Sequence, residues 1–526
     1  MIDTVALREK VLDLAIRGKL VPQDPNDEPA SVLLERIRAQ KQQMVKDGKL
    51  KAKDIKDDSI IFVGEDNLHY EKFADGTVKC IEDEIPFELP EGWAWERLSN
   101  LATFSGGKTP STSNREYWEG NILWVTSKDM KCKYIDSSLM MISEKGLEQM
   151  QLYPENTLLL VTRSGILRHT IPVAILKKPA TINQDLKAIM LYTPNLEEYI
   201  YICIKGMESR LILEYTKAGA TVENINFDAF QKILLPIPPE NQIQRIIDAT
   251  NDTDEVIGKL KIDQEDLIDI IDKTKSKILD LAIRGKLVPQ NPDDEPASVL
   301  LERIRAEKED LIRQGKIKRD KKESIIFKGE DNSYYEKFDN GEIKCIDEDI
   351  PFDLPESWRW CRLGTLFIHN TGKALNSSDS AGTLMTYITT SNLYWDRFEL
   401  DSLKEMPFTD SEIEKCTVTK GDLLVCEGGD IGRSAIWMHN EDIRIQNHIH
   451  RLRPYISLSN RFYYYVLFMW KQTDRIGGQG IGLQGFSSKA LHNLIVPLPP
   501  LSEQRHIVAY VDELNQKLSD IEKGLS

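Results

Sequence analysis

Apolar side chains recur at helical spacing from the start of the chain. Leu7, Val11 and Leu14 mark one face of a helix predicted over residues 4–17, with Gly18 in the position a helix C-cap favours and Pro22 and Pro25 barring continuation. A second helix is predicted from about Pro29, a residue suited to a first helical turn, to about Val45, with Leu33, Ile37 and Met44 inward. Asp47-Gly48 ends it and a charged linker, Lys49–Asp58, follows. The pattern then shortens to strand-like pieces, Ile60-Ile61-Phe62 and Thr77-Val78-Lys79-Cys80-Ile81, with Asp75-Gly76 as a hairpin turn. Further strands are predicted over 122–128 and 157–163, and again over 387–392 and 422–427. From Ile243 the period becomes seven. The a positions are Ile243, Thr250, Ile257, Gln264, Ile271 and Ile278, and the d positions Ile246, Thr253, Leu260, Leu267, Thr274 and Leu281. Eight of these twelve are apolar, which predicts a coiled-coil-forming helix over about 241–284, roughly 65 Å long. The tail repeats the seam at Ile507, Val511, Leu514, Leu518, Ile521 and Leu525. Either each helix packs on its own neighbouring domain, or the two pair antiparallel and hold the middle blocks apart.

The pattern is duplicated. Lys10–Ala39 and Lys277–Ala306 are identical at 27 of 30 positions, differing only at Val11/Ile278, Asp24/Asn291 and Asn26/Asp293. The period is about 265 residues. Ile85–Trp93, rich in proline, returns as Ile350–Trp358. The blocks between, 93–240 and 358–500, have almost no identity, yet share landmarks: a leading Trp pair, two strands, glycine-bearing loops with Arg168 or Arg433, and a closing Pro-Pro. They are expected to share a fold and differ in surface, as two heads on one scaffold. The expected organisation is a repeated helical region and linker (1–92), a first head (93–240), the central helix with the second copy of the repeat (241–357), a second head (358–500) and a C-terminal helix (501–526).

Charge sharpens this division. The chain carries a net −16, but residues 97–240 hold 16 Lys+Arg against 15 Asp+Glu, and 359–500 hold 15 against 14. With each of these two segments at +1, the rest of the chain carries −18. Acidity there suits solvent or a basic partner, and the heads stay open to nucleic acid. No run of about 18 apolar residues exists, and residues 1–20 mix charge with Leu and Val, so neither a membrane span nor a signal peptide is expected. Seven cysteines without any CxxC point to reduced thiols in a cytoplasmic protein.

Catalytic signatures fail in turn. No N-P-P-[YF] or D-P-P-[YF] string of an amine methyltransferase is present. Gly106-Gly107-Lys108-Thr109 lacks the earlier glycine of a phosphate loop, for Ala102 stands there. Pro292-Asp293 with Asp320-Lys321-Lys322 imitates a nuclease pattern that the duplicate, Pro25-Asn26, breaks. His448-Ile449-His450 offers two metal ligands with no Cys or carboxylate cluster beside them, and surface or structural histidines account for it better. What remains is binding chemistry at loop tips. In the first head the candidates are Lys108, Thr109, Ser111 and Arg115; Ser127 and Lys128; Arg163 and Arg168; Asn183 and Gln184. In the second they are Lys373 and Asn376; Thr390 and Asn392; Arg433; Gln446, Asn447 and His448; and Gln479 and Gln484 in a glycine-rich loop. Arg to guanine and Asn or Gln to adenine read major-groove edges, while Lys, Ser and Thr suit phosphates.

The repeated Leu-Asp-Leu-Ala-Ile-Arg-Gly-Lys-Leu-Val-Pro-Gln (12–23 and 279–290), Gly106–Ser111 followed by Tyr117-Trp118, Gly421-Asp422-Leu423-Leu424 with Gly432-Arg433, and Pro497–Pro500 with Glu503-Gln504-Arg505 together resemble the specificity subunits of Type I restriction-modification systems, over essentially the whole chain. In the first copy Asn241-Gln242 departs from the Glu-Gln-Arg form. The resemblance implies an α+β protein: two target-recognition domains of mixed α/β type, held apart by long antiparallel coiled-coil helices in a pseudo-twofold repeat. It implies that each domain reads one half of a bipartite site in double-stranded DNA, that two modification subunits dock on the helices, and that restriction/translocase subunits join them. S-adenosylmethionine, ATP and Mg would then sit on those partners, with no catalytic residue, cofactor or metal in this chain. The rival readings are an enzyme with its own methyltransferase or nuclease activity, and a scaffold with two peptide-binding heads.

Overall fold

In a computed structural model the chain divides into two compact units, Ile2–Asp263 and Gln264–Ser526. The structure describes residues 2–217, 222–320, 323–375, 381–476 and 486–525. Among the described residues no helix is long and apolar enough to cross a membrane.

In the first unit, α1 (Thr4–Ile16) is capped by the Asp3 carboxylate, which accepts from the Val5 and Ala6 N–H groups. Its inner face differs from the expected one. Leu7 is exposed and Leu14 half-buried, while Leu12, Ala15 and Ile16 are buried with Val11. The reason is the partner: α1 packs on the head helix α3 (Glu197–Gly206), where a side chain at Gly206 would strike Ile16. The second helix, α2 (Ala30–Lys46), starts after Pro29 and buries Leu33 and Ile37. Its Lys41 is 1% exposed, and the ammonium donates to Asp58 (2.7 Å) and the Asn100 carbonyl (3.2 Å), so this buried charge is paired. A three-stranded antiparallel sheet follows: β1 (Ser59–Val63), β2 (His69–Phe73) and β3 (Val78–Cys80). Gly76 makes the predicted turn at φ +87°.

The head begins and ends on one antiparallel pair, β4 (Ala94–Arg97) with β11 (Leu234–Ile237). Its main sheet runs β5 (Ala102–Gly106), β10 (Leu186–Leu191), β7 (Leu158–Val161), β8 (Val173–Leu176), with Tyr134–Ile135 beyond. A second sheet sets β6 (Ile122–Val125) parallel to β9 (Ala180–Ile182) and antiparallel to Met140–Ile142. β7 is buried on both faces, which explains its unbroken Leu-Leu-Leu-Val.

The predicted long helix is α4 (Glu240–Ile283), 44 residues. All six a positions are buried and the later d positions are half-buried, so heptad spacing located the seam. Arg8, early in α1, pairs with Asp254 at 2.8 Å, while Leu12 and Ile16 share a core with Ile243 and Ile246. Advancing along α1 therefore means receding along α4, an antiparallel pairing.

The second unit repeats the plan. Its elements are α5 (Ala297–Arg313), a sheet of β12 (Ser324–Lys328), β13 (Tyr334–Phe338) and β14 (Ile343–Cys345), and the closing pair β15 (Arg359–Arg362) with β22 (Ile495–Leu498). The main head sheet runs β16 (Phe367–Thr371), β21 (Ile449–Pro454), β18 (Leu423–Cys426), β19 (Ser434–Ile436), strand for strand the order of the first head. β17 (Thr383–Ile388) again lies parallel to a partner, β20 (Ile443–Ile445). On the main sheet packs α6 (Asn460–Gln472), rich in tyrosine, whose buried side chains share a core with Leu423, Val425 and Leu452. Lys308 stands where Lys41 does and pairs with Asp320 (2.6 Å) and Glu323 (2.9 Å). In the tail helix α7 (Leu501–Leu525), Ile507 and Val511 share a core with Ile278 and Ile283, and Glu522 near its end meets Lys275 at 2.9 Å. This pairing is antiparallel too. Both expectations for the long helices are thus realised together: they pair, and the paired face belongs to each unit's own core.

The repeated stretch forms a socket. Gly18 and Gly285 both adopt φ +65°, and a Cβ there would lie 2.6 Å from Pro90 and 2.5 Å from Pro355, hard against Trp93 and Trp358. The Trp93 indole N–H lies 3.2 Å from the Gln23 Oε1 and 3.0 Å from the Gln242 Oε1. In the second unit the Trp358 indole donates to Glu503 (2.8 Å), and Gln290 donates to the same carboxylate (2.5 Å). Burial raises the Glu503 carboxyl above its ordinary value, with the two donated hydrogen bonds opposing.

Gly18→Ala and Gly285→Ala should each lower the stability of their unit by more than about 1 kcal/mol, since a forced positive φ and a blocked Cβ add. Thermal melting of the full chain checks this, and an unchanged midpoint contradicts the socket. For Glu503, a carboxyl raised on folding favours the folded state at low pH, and that contribution is lost as pH climbs through the raised value. Glu503→Gln, which restores the residue type found at 242, should therefore melt with wild type near about pH 4 but higher than wild type near about pH 8. Equal midpoints at the higher pH refute the burial cost.

Candidate nucleic-acid interface

At one end of the first head the ends of β6, β7 and β9 meet the start of β10. Hydrogen bonds fasten them: the Asn183 N–H donates to the Val125 carbonyl (3.0 Å) and the Thr162 N–H to the Asp185 carbonyl (2.8 Å). The loop after β5 crosses this junction at Gly107, where a Cβ would sit 2.1 Å from the Asn183 oxygen and 2.2 Å from the Ile182 oxygen. Only glycine passes there. One residue on, the Lys108 N–H donates to the Ile182 carbonyl (3.0 Å) and its own carbonyl accepts from the Trp124 indole (3.1 Å). Trp118 donates to the Ser111 carbonyl (3.1 Å) and stands edge-on to Trp124, so two indoles pin the loop.

The polar side chains of this loop face outward. Lys108, Thr109, Ser111 and Arg115 are exposed, with the Thr109 hydroxyl bonded to exposed Gln184 and the Ser111 and Ser113 hydroxyls 2.8 Å apart. Beside them, Asp129 accepts from both the N–H and the hydroxyl of Thr126 (2.8 Å each), folding a turn that leaves Ser127 half-buried and Lys128 exposed. Arg163 is exposed next to an isolated bridge with Asn224, and the exposed Arg168 is ion-paired to Glu223. Asn183 is different. It is 7% exposed, and its amide donates to Asp185 (3.1 Å), so it builds the junction.

The second head repeats the crossing. A Cβ at Gly372 would lie 2.0 Å from the Ile445 oxygen, and the Lys373 N–H donates to that carbonyl (3.1 Å). The side chains diverge from there. Lys108 is exposed, but the Lys373 ammonium turns inward, donating to the Pro407 carbonyl (2.8 Å) and to Glu412 (2.9 Å). Asn392, 7% exposed, accepts from the Thr389 N–H (2.9 Å) and donates to the Glu399 carbonyl (3.0 Å), the counterpart of Asp129. Thr390 is half-buried, and its carbonyl accepts from Arg433 (2.5 Å), whose guanidinium lies over the Tyr394 ring. Gln446 and Asn447 are half-buried and tied through backbone bonds to Ile388 and Lys373. His448 is exposed, 3.8 Å from Glu427. Asn376, Gln479 and Gln484 lie outside the described residues.

The two histidines of His448-Ile449-His450 differ in surroundings, because His448 precedes β21 and is exposed while His450 lies within the strand. His450 is fully buried, 3.0 Å from His369 and 2.8 Å from the Phe486 carbonyl, and burial pushes His369 down to about 3. This is a neutral, structural pair. Among the described residues no group of three metal-ligating side chains exists.

Tyr394 and Arg397 escaped the sequence reading: Arg397 stacks on Tyr394 as Arg433 does, so one aromatic ring carries two guanidinium groups at this tip. Their signal was the two-residue turn Trp395-Asp396 between Tyr394 and Arg397, where Asp396 takes φ +58°. It is visible only once the short pairing is known.

The EcoAI specificity subunit of Escherichia coli, a Type I restriction enzyme component, is 26% identical, the match covering 97% of this chain and 88% of that one. The EcoEI specificity subunit, also of Escherichia coli, is 27% identical over 82% of this chain and 74% of its own. The crystal structure of the HsdS subunit from Thermoanaerobacter tengcongensis aligns with a TM-score of 0.46 and 16% identity, covering 84% of this chain and 94% of that one. The family model described as the Type I restriction modification DNA specificity domain matches twice, over residues 90–263 and 355–526, once for each head and its helix. The chain therefore belongs to the Type I restriction-modification DNA specificity family.

Proposed function

We propose that each head reads one half of a bipartite duplex sequence through its loop tip, and that α4 with its antiparallel partners sets the distance between the halves. One observation carries this reading. The same glycine crossing, Gly107 and Gly372, recurs at the same strand junction in both heads, while the side chains it launches differ in kind and direction. A fixed backbone with variable outward chemistry suits two readers of unlike sequence. The exposed set, Lys108, Thr109, Arg115, Lys128, Arg163 and Gln184, faces DNA from the first head. Arg397, Arg433 and His448 do so from the second. Asn183, Asn392 and Lys373 shape the tips from within.

The acidic repeated segments and the helices dock two modification subunits, and restriction/translocase subunits join through them. S-adenosylmethionine, ATP and Mg belong to those partners, and the whole works in the cytoplasm. The enzyme alternative gains no support from the junctions, where Asn183, Asn392 and Lys373 are bonded to backbone and neighbouring side chains.

Arg163→Ala should weaken specific DNA binding by the assembled complex by about 1–3 kcal/mol if it reads a base edge, and relax sequence preference at one position of one half-site. Binding measured on single-base variants of the site checks this, and a uniform loss across all sequences assigns Arg163 to phosphate instead. Inserting one heptad in α4 near Gln264, matched in α7, lengthens the helix by about 10 Å, or about three base pairs. The preferred spacer should grow while both half-sites stay the same. Mapping methylated adenines in cells carrying the variant gives the answer, and an unchanged spacer rules out α4 as the ruler.

A further inference from the structure

The small sheets between the repeated helices and the heads have an outer face that the fold does not use. In the first unit the register sets Ile60 beside Lys72 and Val78, and Phe62 beside Tyr70 and Cys80. Because strand side chains alternate, these six share one face. The opposite face does the structural work. Ile81 is fully buried with Trp95, and Glu71 accepts from Arg97 (2.7 Å) and the Ser59 hydroxyl (2.6 Å). On the outer face Ile60 is 44% exposed, Phe62 41% and Val78 49%.

The second unit presents the same face. Ile325, Lys337 and Ile343 form one row, and Phe327, Tyr335 and Cys345 the other. The exposures match too: Ile325 45%, Phe327 38% and Ile343 56%. Even the stacking is kept, with Phe62 on Tyr70 at 5.8 Å and Phe327 on Tyr335 at 5.9 Å. Each tyrosine hydroxyl donates to an aspartate, Asp66 or Asp331, at 2.7 Å.

Comparing the copies separates use from inheritance. Residues 59–91 and 324–356 differ at 11 of 33 positions. Off this face some exposed positions have drifted in character, Ala74/Asp339 and Thr77/Glu342, while others such as Glu65/Glu330 and Lys79/Lys344 are kept. On the face five of six positions are identical and the sixth is Val78/Ile343. An apolar surface kept in duplicate, exposed in both copies, marks an interaction site. Its rim defines the partner. Residues 57–91 carry 11 Asp+Glu against two Lys, so an apolar centre sits in a strongly acidic frame.

We infer that the outer faces of β1–β2–β3 and β12–β13–β14 are two equivalent docking sites, each taking one copy of the same partner chain through an apolar contact ringed by Lys and Arg. The inference rests on the reading that two modification subunits dock on this chain, and assigns that partner to these sheets in addition to the helices. Two identical sites call for a partner present twice.

The test uses the full chain co-purified with its modification subunits, with Cys132→Ser introduced so that Cys80 and Cys345 are the exposed thiols among the described residues. In the assembled complex N-ethylmaleimide should modify both about tenfold or more slowly than in the free chain, because access controls thiol reactivity. Phe62→Asp and Phe327→Asp should each remove one of two partner copies, and the double variant both, with native mass as the readout. Unslowed labelling of either thiol in the complex, or a double variant with a full complement of partners, overturns the assignment. If the unaltered chain recruits no modification subunit, the docking reading itself fails and the inference falls with it. If the Asp variants do not fold, the labelling result on the otherwise native surface decides alone.

Discussion

Each head is held by one buried indole. Trp93 and Trp358 occupy the point where three segments of chain converge: the glycine turn that ends the repeated helix, the proline-flanked entry to the head, and the first turn of a long helix. The N–H needs an acceptor there, since an unpaired buried donor costs about 1–3 kcal/mol. The long helix supplies it, as Gln242 in one unit and Glu503 in the other. A left-handed glycine is required because the indole leaves no room for a Cβ. Tilt of head on helix is thus fixed by a contact that leaves no room at the glycine, while its acceptor changes from Gln242 to Glu503.

The tips follow the opposite rule. Their geometry is set by backbone, through the crossing at Gly107 or Gly372 and the turn closed by Asp129 or Asn392. Side chains launched from that frame are free to change. Lys108 and Lys373 show how far: the same residue type at the same station points outward in one head and turns in to the Pro407 carbonyl and Glu412 in the other. As a member of a DNA specificity family, the chain separates the part that must hold still from the part that must vary.

Much of this was legible in the sequence. The seven-residue period located α4 within a residue at each end, because a buried seam leaves its mark at every turn. Gly18, Gly76 and the strand cores were equally plain. The face of α1 was misjudged, since Leu7 and Leu14 keep helical spacing but α3 comes to meet Leu12, Ala15 and Ile16. At the tips, residue type singled out loops that meet at the strand junctions but not the direction of each side chain. Nothing local distinguishes the inward Lys373 from the outward Lys108; that depends on Glu412, distant in sequence. The meeting of Arg397 and Arg433 on Tyr394 is likewise tertiary.

The closing strands have a consequence for how such a protein changes over time. The first and last strands of each head pair side by side, Arg97 with Leu234 and Ala94 with Ile237 in one, Arg362 with Ile495 and Arg359 with Leu498 in the other. A head therefore enters and leaves its unit through a single two-stranded gate. Recombination with crossovers inside the coding sequence of those strands exchanges a whole reader and leaves its mount untouched.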